Sequence, residues 1–494
     1  MNTHNHVHSF SNQLNTGRHA VVIGGSMAGL LAARVLTDYF EQVSIIDRDT
    51  FPDVPEPRKG VPQSYHAHAL HEKGQEIINR LFPGILDELR AGGASSAYGV
   101  MPTAVVTPTG KLPLVKQDGE SLGFSRVLLE WQIRRRLTAQ AGVYFLANCK
   151  VTGLLSTPDR ARVIGVRLHH QDKDASPEMI QADLVVDASG RYSKAPEWLV
   201  ELGYAVPPEE SVNSGTGYAS RIYAKPTNFP AAWQHLVIFG HPPHNPRSGF
   251  IMGNEHNKWH VSLVGSGGNY PPTDEAGFLQ WAHDLSDPSL YEAIRVAEPL
   301  SPIQGFRVPQ TRLRHFERLE RWPTGFIVTG DSVCAFNPVY GQGTTVIALE
   351  ALVLDECLRH YKHSNRQGFE RLFQQQLAQT VAGPWFMSSS EDMRWSGVKL
   401  SGARPRIGLG ILHHYMNLVL KQACDDPMVT QAYLNVVGMM VPPQSLMQPN
   451  ILLRVFWGAI KSINQAATSN PANPEQFPLS SEALTLHETP DKVG

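Results

Sequence analysis

An α/β fold, α+β overall, is what this sequence predicts, and three observations carry it. A β-branched run, Ala20 to Gly24, is followed by a Gly-rich turn, a helical pattern and a second strand within about 28 residues. That is close to the length of one strand–helix–strand unit. Between Gly215 and Val264 short strands are separated by Gly, Pro and Asn, the mark of a hairpin-rich antiparallel sheet. From Asn365 to about Ile463 the chain reads mainly helical.

The elements follow in order. After the first strand, Leu30 to Phe40 has Leu31, Val35 and Leu36 at helical spacing, and Gln42 to Asp47 (QVSIID) reads as a strand. A loop with four prolines spans Phe51 to Pro62, and helical segments are expected over His66 to Leu81 and Ile85 to Ala91. Leu128 to Leu137 is a further helix, with Arg134, Arg135 and Arg136 expected on its solvent side. Strands return from Val163 to Gly190, then at Tyr218–Tyr223, Leu236–Gly240, Phe250–Gly253 and Trp259–Gly265. Phe326 to Gly330 is one more buried strand, and Gly343 to His360 a long helix. Residues 1–17 and 464–494 are polar and read as disordered tails.

Composition narrows the function classes. The chain has 494 residues, 42% of them apolar and 18% charged. The usual charged share is about 25%, so a large interior is expected. A net charge of −2 excludes nucleic-acid binding driven by charge. The four cysteines include no CxxC pair, which points to reduced thiols and a cytoplasmic localisation. The N-terminus lacks the basic and apolar segments of a signal peptide. Pro442, Pro443 and Pro449 interrupt the longest uncharged stretch and argue against a membrane span. The apolar segment Asn450 to Lys461 (NILLRVFWGAIK) reads as a buried core helix. A lid over a pocket, or a peripheral membrane contact, is the alternative.

The first chemical signal is Gly24-Gly25-Ser26-Met27-Ala28-Gly29, a GxGxxG pattern with Ser26 at the middle glycine. A strand precedes it and a helix follows, so the turn aims backbone N–H groups at a pyrophosphate. Asp47, followed by Arg48, ends the second strand 23 residues after Gly24, where a carboxylate accepts hydrogen bonds from an adenosine ribose. Together these predict a Rossmann-like dinucleotide site. A second signal lies at Gly330-Asp331, just after a buried strand, and at Asn337-Pro-Val-Tyr340-Gly341-Gln-Gly343-Thr344 opening a helix. A carboxylate there can bind ribityl hydroxyls, and the helix N-terminus can face an anionic ring edge. His66, His68 and His71 lack a completing carboxylate or Cys pattern, so no metal site is expected.

With these residues in view, the chain resembles FAD-dependent monooxygenases of the aromatic-hydroxylase (p-hydroxybenzoate hydroxylase-like) fold. The matching fingerprint is Gly330-Asp331 with Pro338, Gly341 and Gly343. The resemblance points in particular to the bacterial branch of polyether-type olefin epoxidases, through Arg58-Lys-Gly-Val-Pro-Gln63 with His66 and His68, and Phe336 to Gly343. It covers about Arg18 to Lys461. It implies non-covalent FAD, with Arg58 and Arg126 contacting the cofactor and Asp187 and Gly190 in a third fingerprint. Members of the fold carry Asp-Gly there, whereas this chain has Asp187-Ala-Ser-Gly190. NAD(P)H is therefore expected as donor either directly or through a flavin reductase.

The resemblance also implies domains. Residues 18–90, 115–205 and 300–364 would form a discontinuous FAD-binding domain. Residues 91–114 and 206–299 would form an inserted antiparallel substrate domain, and 365–463 a helical C-terminal region. The implied reaction puts one oxygen atom from O₂, by way of a flavin C4a-hydroperoxide, into an apolar small molecule, as olefin epoxidation or hydroxylation. A flavin-dependent halogenase is an alternative, although its WxWxIP block is absent. So is an FAD-dependent reductase or dehydrogenase of a lipid or isoprenoid. Tyr218, Arg221, Trp259 and Tyr340 are the candidate pocket residues, and Trp385, Phe386, Trp395 and Met439-Met440 are expected to close an apolar cavity. No residue stands out as a catalytic base.

Overall fold

The computed structural model describes residues 17–100, 103–171, 176–230, 233–363, 368–402 and 406–468. The remainder of both expected tails lies outside them. Gly17, assigned to the first tail, begins a strand, and the last helix, Pro449–Thr468, runs past the expected end at Ile463.

Five parallel strands form the base, in the order Phe326–Val328, Leu184–Asp187, Gly17–Ile23, Phe40–Ile46 and Val143–Leu146. Ala20, Val21, Val22, Val185, Val186, Phe326, Ile327 and Val328 are fully buried, as a parallel sheet covered on both faces requires. The strands come from four stretches far apart in sequence. All of them end near Gly24, Asp47, Asp187 and Thr329.

A seven-stranded sheet stands apart from this one. Its order is Gln304–Arg307, Gly217–Ala224, Lys258–Gly265, Arg247–Asn254, His235–Ile238, Thr103–Thr107 and Gly110–Lys111. Every neighbouring pair is antiparallel except His235–Ile238 with Thr103–Thr107. One face carries Ala219, Tyr223, Ile251, Trp259, Val261 and Leu263 and packs on the helices Glu275–His283 and Ser289–Ile294. Two boundaries shift. Gln304–Arg307 belongs to this sheet although it lies beyond residue 300. Lys116–Gly123 pairs with Ser95–Val100 although it lies beyond residue 115.

Several local expectations change for identifiable reasons. The first helix is Met27–Leu36, and Phe40 opens the next strand. His66 to Leu70 is not helical; the helix is Glu72–Leu81. There the amides of Ala67 and His71 donate to the hydroxyls of Ser262 (3.0 Å) and Thr345 (3.1 Å), so side chains from two other elements replace helical bonds. Arg134 is buried, not solvent-facing: its guanidinium stacks on Phe51 and donates to the carbonyl of Pro52. The strand Lys399–Ser401 interrupts the helical C-terminal region and pairs with Glu209–Asn213. The apolar segment near Trp457 is not a buried core helix, since Leu453, Phe456, Trp457 and Ile460 are exposed. Among the described residues no helix is long and apolar enough to cross a membrane.

Candidate functional site

The Gly24–Gly29 turn is shaped by what its glycines exclude. Gly24 has φ +105°, and a Cβ there would lie 2.4 Å from the carbonyl oxygen of Ala188. A Cβ on Gly29 would lie 1.8 Å from the carbonyl oxygen of Gly24. Only glycine fits either place. Ser26 stands at the N-cap of the Met27–Leu36 helix without a side-chain cap bond, so the first-turn amides keep their hydrogen-bonding capacity.

Charge fastens this turn from behind. The Asp47 carboxylate accepts from the amides of Gly25 (2.7 Å) and Asp49 (2.8 Å). Arg58 is buried; it donates to Glu130 at 2.8 Å and to the Gly25 carbonyl at 3.1 Å, and lies 3.4 Å from both Asp47 and Asp49. Arg58 is therefore taken up by protein partners. Arg126 is placed differently. Its Nη2 donates to Ser26 Oγ at 2.9 Å, Ser26 Oγ donates to Glu130 at 2.8 Å, and the buried Arg126 Nε lies 3.8 Å from Glu130 without a hydrogen-bond partner. Arg48 is exposed, and its carbonyl accepts from Gln171.

Asp187 is fully buried and accepts from the Ser189 amide (2.9 Å) and the Ser193 hydroxyl (2.5 Å). Burial pushes its carboxyl up, and these serines pull it back. The Gly190 amide donates to Ser332 Oγ at 2.9 Å, which ties the third fingerprint to the second. The turn Gly330–Ser332 packs against the Met27–Leu36 helix, and the Asp331 carboxylate accepts no hydrogen bond among the described residues. The 21-residue helix Gly343–His363 begins beside it, with no acidic residue in its first turn. Thr344 is buried there, and Gly341 lies against Ala69 and His71.

From this turn a cavity of about 690 Å³ opens. Its walls are three. One is the Ala67–His71 loop with Asn337 to Gln342. The second is the free face of the seven-stranded sheet, with Tyr218, Val237, Phe250 and Met252. The third is the C-terminal helices, with Phe386, Met387, Trp395, Met416, Leu420 and Met447. Strand alternation decides which predicted residues arrive. Tyr218 and Tyr340 line the cavity. Arg221 and Trp259 are corrections, since both lie on the opposite face. Arg221 there bonds the Ser301 carbonyl and Glu275, and Trp259 stacks on Trp233. Of the expected lid residues Phe386 and Trp395 line the cavity; Trp385, Met439 and Met440 do not.

The loop His66 to His71 is docked by a relay of His66 Nδ1, Ser220 Oγ (2.8 Å) and Ser262 Oγ (2.6 Å from Ser220). Burial pushes His66 down to about 4 and also lowers His68 and His71, so these rings are neutral near pH 7.

Sequence reasoning missed Asp392. It is fully buried at the end of the Phe369–Asp392 helix. Its Oδ1 accepts from Asn337 Nδ2 (2.7 Å) and the Tyr340 hydroxyl (2.9 Å), while Oδ2 has no partner. Burial pushes this carboxyl up to about 7 against the pull of Asn337 and Tyr340. No local motif marks it, because its partners stand more than 50 residues away.

No family model matches the chain. It is 32% identical to Protein Rv3254 of Mycobacterium tuberculosis over 384 residues, 76% of this chain and 80% of that one. Its fold is shared with the flavin-dependent brominase Bmp2 (TM-score 0.62, 14% identity, 91% of this chain and 100% of that chain). A flavoprotein/dehydrogenase from Cytophaga hutchinsonii aligns at TM-score 0.63 and 14% identity, over 91% and 100% of the two chains. PqsL of Pseudomonas aeruginosa, described as a probable FAD-dependent monooxygenase, aligns at 0.55 and 14%, over 76% and 98%. The fold is thus that of Rossmann-like FAD-binding flavoenzymes with a helical C-terminal region.

Proposed function

This chain belongs to the family of Protein Rv3254 of Mycobacterium tuberculosis, and from that premise and the geometry of the site we propose that it is an FAD-dependent monooxygenase of an apolar small molecule. The observation that carries the reading is continuity. The Asn337 to Gln342 turn that leads into the Gly343–His363 helix lines the largely apolar cavity, and the Gly330–Ser332 turn packs on both that helix and the Met27–Leu36 helix.

The residues present fit FAD. The first-turn amides after Gly25 and the Arg126 guanidinium would hold the pyrophosphate. Asp47 would accept from the ribose, and Asp331, whose carboxylate has no donor of its own, from the ribityl chain. The Gly341 to Thr344 turn would offer N–H groups and the positive end of the helix to the anionic edge of the reduced ring. Bound there, the flavin supplies the activation of O₂. The protein excludes water with Phe250, Phe386 and Trp395 and positions an apolar substrate against the turn. Asp392 can hold a proton close to neutral pH beside Tyr340. Olefin epoxidation, the reaction of the polyether branch, needs no protein base; hydroxylation is the other form. NAD(P)H is the donor, directly or through a flavin reductase.

Halogenation is the second reading, supported by the likeness to Bmp2 along 91% of the chain. The test is to load the purified protein with FAD, reduce it without oxygen, and admit ¹⁸O₂ with candidate alkenes and phenols. One labelled oxygen atom per product is expected. Bromide-dependent product without label overturns the reading in favour of halogenation. A protein that takes up no FAD overturns both.

A further inference from the structure

The last helix, Pro449–Thr468, is apolar on both sides. Ile451 and Val455 are buried in the cluster that contains Tyr415 and Val419. Leu453, Phe456, Trp457 and Ile460 repeat at i, i+3, i+4 and i+7 on the outer side, where Leu453 is 72% and Trp457 74% exposed. A solvated helix presents polar residues on that side. Arg454 and Lys461, seven residues apart, flank this stripe on one edge, and Arg454 also pairs with Asp426 at 2.7 Å. From Lys399 to Thr468 the sequence holds six Lys and Arg against two Asp, a net +4 in a chain whose total is −2. An apolar stripe with a Trp, edged by cations on a positive segment, has the chemistry of a helix that lies in a lipid headgroup layer.

The stripe also adjoins the cavity. Met447 lines the cavity and is itself exposed, and the Phe456 ring stands 6.3 Å from that of Tyr415, a cavity-wall residue. We propose that this outer face seats on an anionic phospholipid surface, and that the apolar substrate passes between the bilayer and the cavity along the Met447 rim. The passage rests on the apolar-substrate reading above; the seating does not.

The test is flotation of the full chain, loaded with FAD, with phosphatidylcholine vesicles and with phosphatidylcholine–phosphatidylglycerol vesicles. The protein is expected to float with the anionic vesicles at low salt and to be released as salt rises. The double substitution Trp457→Gln and Ile460→Gln removes two apolar side chains from the stripe. It should lower partitioning by at least about tenfold, and Lys461→Glu by a smaller factor. Both variants should keep wild-type flavin uptake and melting temperature, because these side chains face outward. Failure of the wild-type protein to float, or equal flotation with neutral vesicles, overturns the proposal. So does concentration-dependent self-association that the double substitution abolishes, which would give the face to a second copy of the chain. A protein that takes up FAD and turns over substrate but never floats overturns the membrane seating and leaves the catalytic reading intact.

Discussion

At the Gly24–Gly29 turn, charged side chains are cross-linked: Arg58 joins Glu130, Asp47 and Asp49, and Ser26 joins Glu130 to Arg126. Around the cavity, buried polar atoms stand alone instead, among them the Tyr218 hydroxyl, Gln342 Oε1 and Ser388 Oγ of its lining and, behind Tyr340, Asp392 Oδ2. A buried polar group without a partner costs about 1–3 kcal/mol. The first end is therefore assembled by the protein itself and needs its ligand only at Arg126 and the free amides. The second end keeps hydrogen-bonding capacity in reserve within an apolar wall, a division that suits a fixed cofactor at one end and an exchanged substrate at the other.

The largest expected effects lie at two arginines, Arg58 and Arg126. Arg58→Met leaves Glu130 and Asp47 without their buried partner, so a loss of about 3–5 kcal/mol is expected, whether or not FAD is present. Arg126→Met removes a group with spare donor capacity. It should leave the stability of the FAD-free protein within about 1 kcal/mol and weaken FAD at least about tenfold. Chemical unfolding with flavin titration separates the two. Similar stability losses in both variants would mean that the turn has no ligand-facing side.

The contrast also explains what could be read from sequence. The Gly24–Gly29 turn and its bond to Asp47 were legible because their parts are local: the glycines of one turn, and Asp47 at the end of the next strand, need only spacing to be found. Tyr340 was legible for the same reason, being inside a motif. Arg58 was found and its partner was not, since Glu130 sits 72 residues on in a helix whose pattern carries no signal for it. Arg221 and Trp259 were placed on the wrong face because strand alternation fixes two sets of residues but not which set meets the cavity. Asp392 and the outward turn of Trp457 depend on how the C-terminal helices pack, which no periodicity in those helices states.

Asp392 gives the next largest effect. Its folded-state carboxyl is raised, so between the ordinary carboxylate range and about pH 7 the folded protein binds a proton that the unfolded chain has released. Stability from this group is full at acid pH and falls as pH rises through that window, by up to about 1.4 kcal/mol per pH unit. Asp392→Asn keeps an acceptor for Asn337 and Tyr340 and removes the titration. Urea unfolding at pH 5 and pH 8 should show a smaller fall in the variant. Some fall should remain, since burial raises Asp187, Glu350 and Glu370 as well. An unchanged fall would mean that Asp392 is not the group held in reserve.

The smallest expected effect is at Tyr218. Its hydroxyl is buried without a partner, and burial pushes it well above its ordinary range, so it is a neutral donor at any working pH. In the substrate-free protein, Tyr218→Phe removes an unsatisfied group and leaves the ring packed near His66 and Phe250. Stability should be unchanged or higher by up to about 1 kcal/mol. A polar atom on the bound substrate would take the hydroxyl as its partner, and the same change would then weaken substrate binding by about tenfold without touching FAD affinity. Thermal melting and substrate titration on one preparation read both. A loss of stability above about 1 kcal/mol would show that the hydroxyl is already engaged within the protein, and the cavity would then follow the same rule as the Gly24–Gly29 turn.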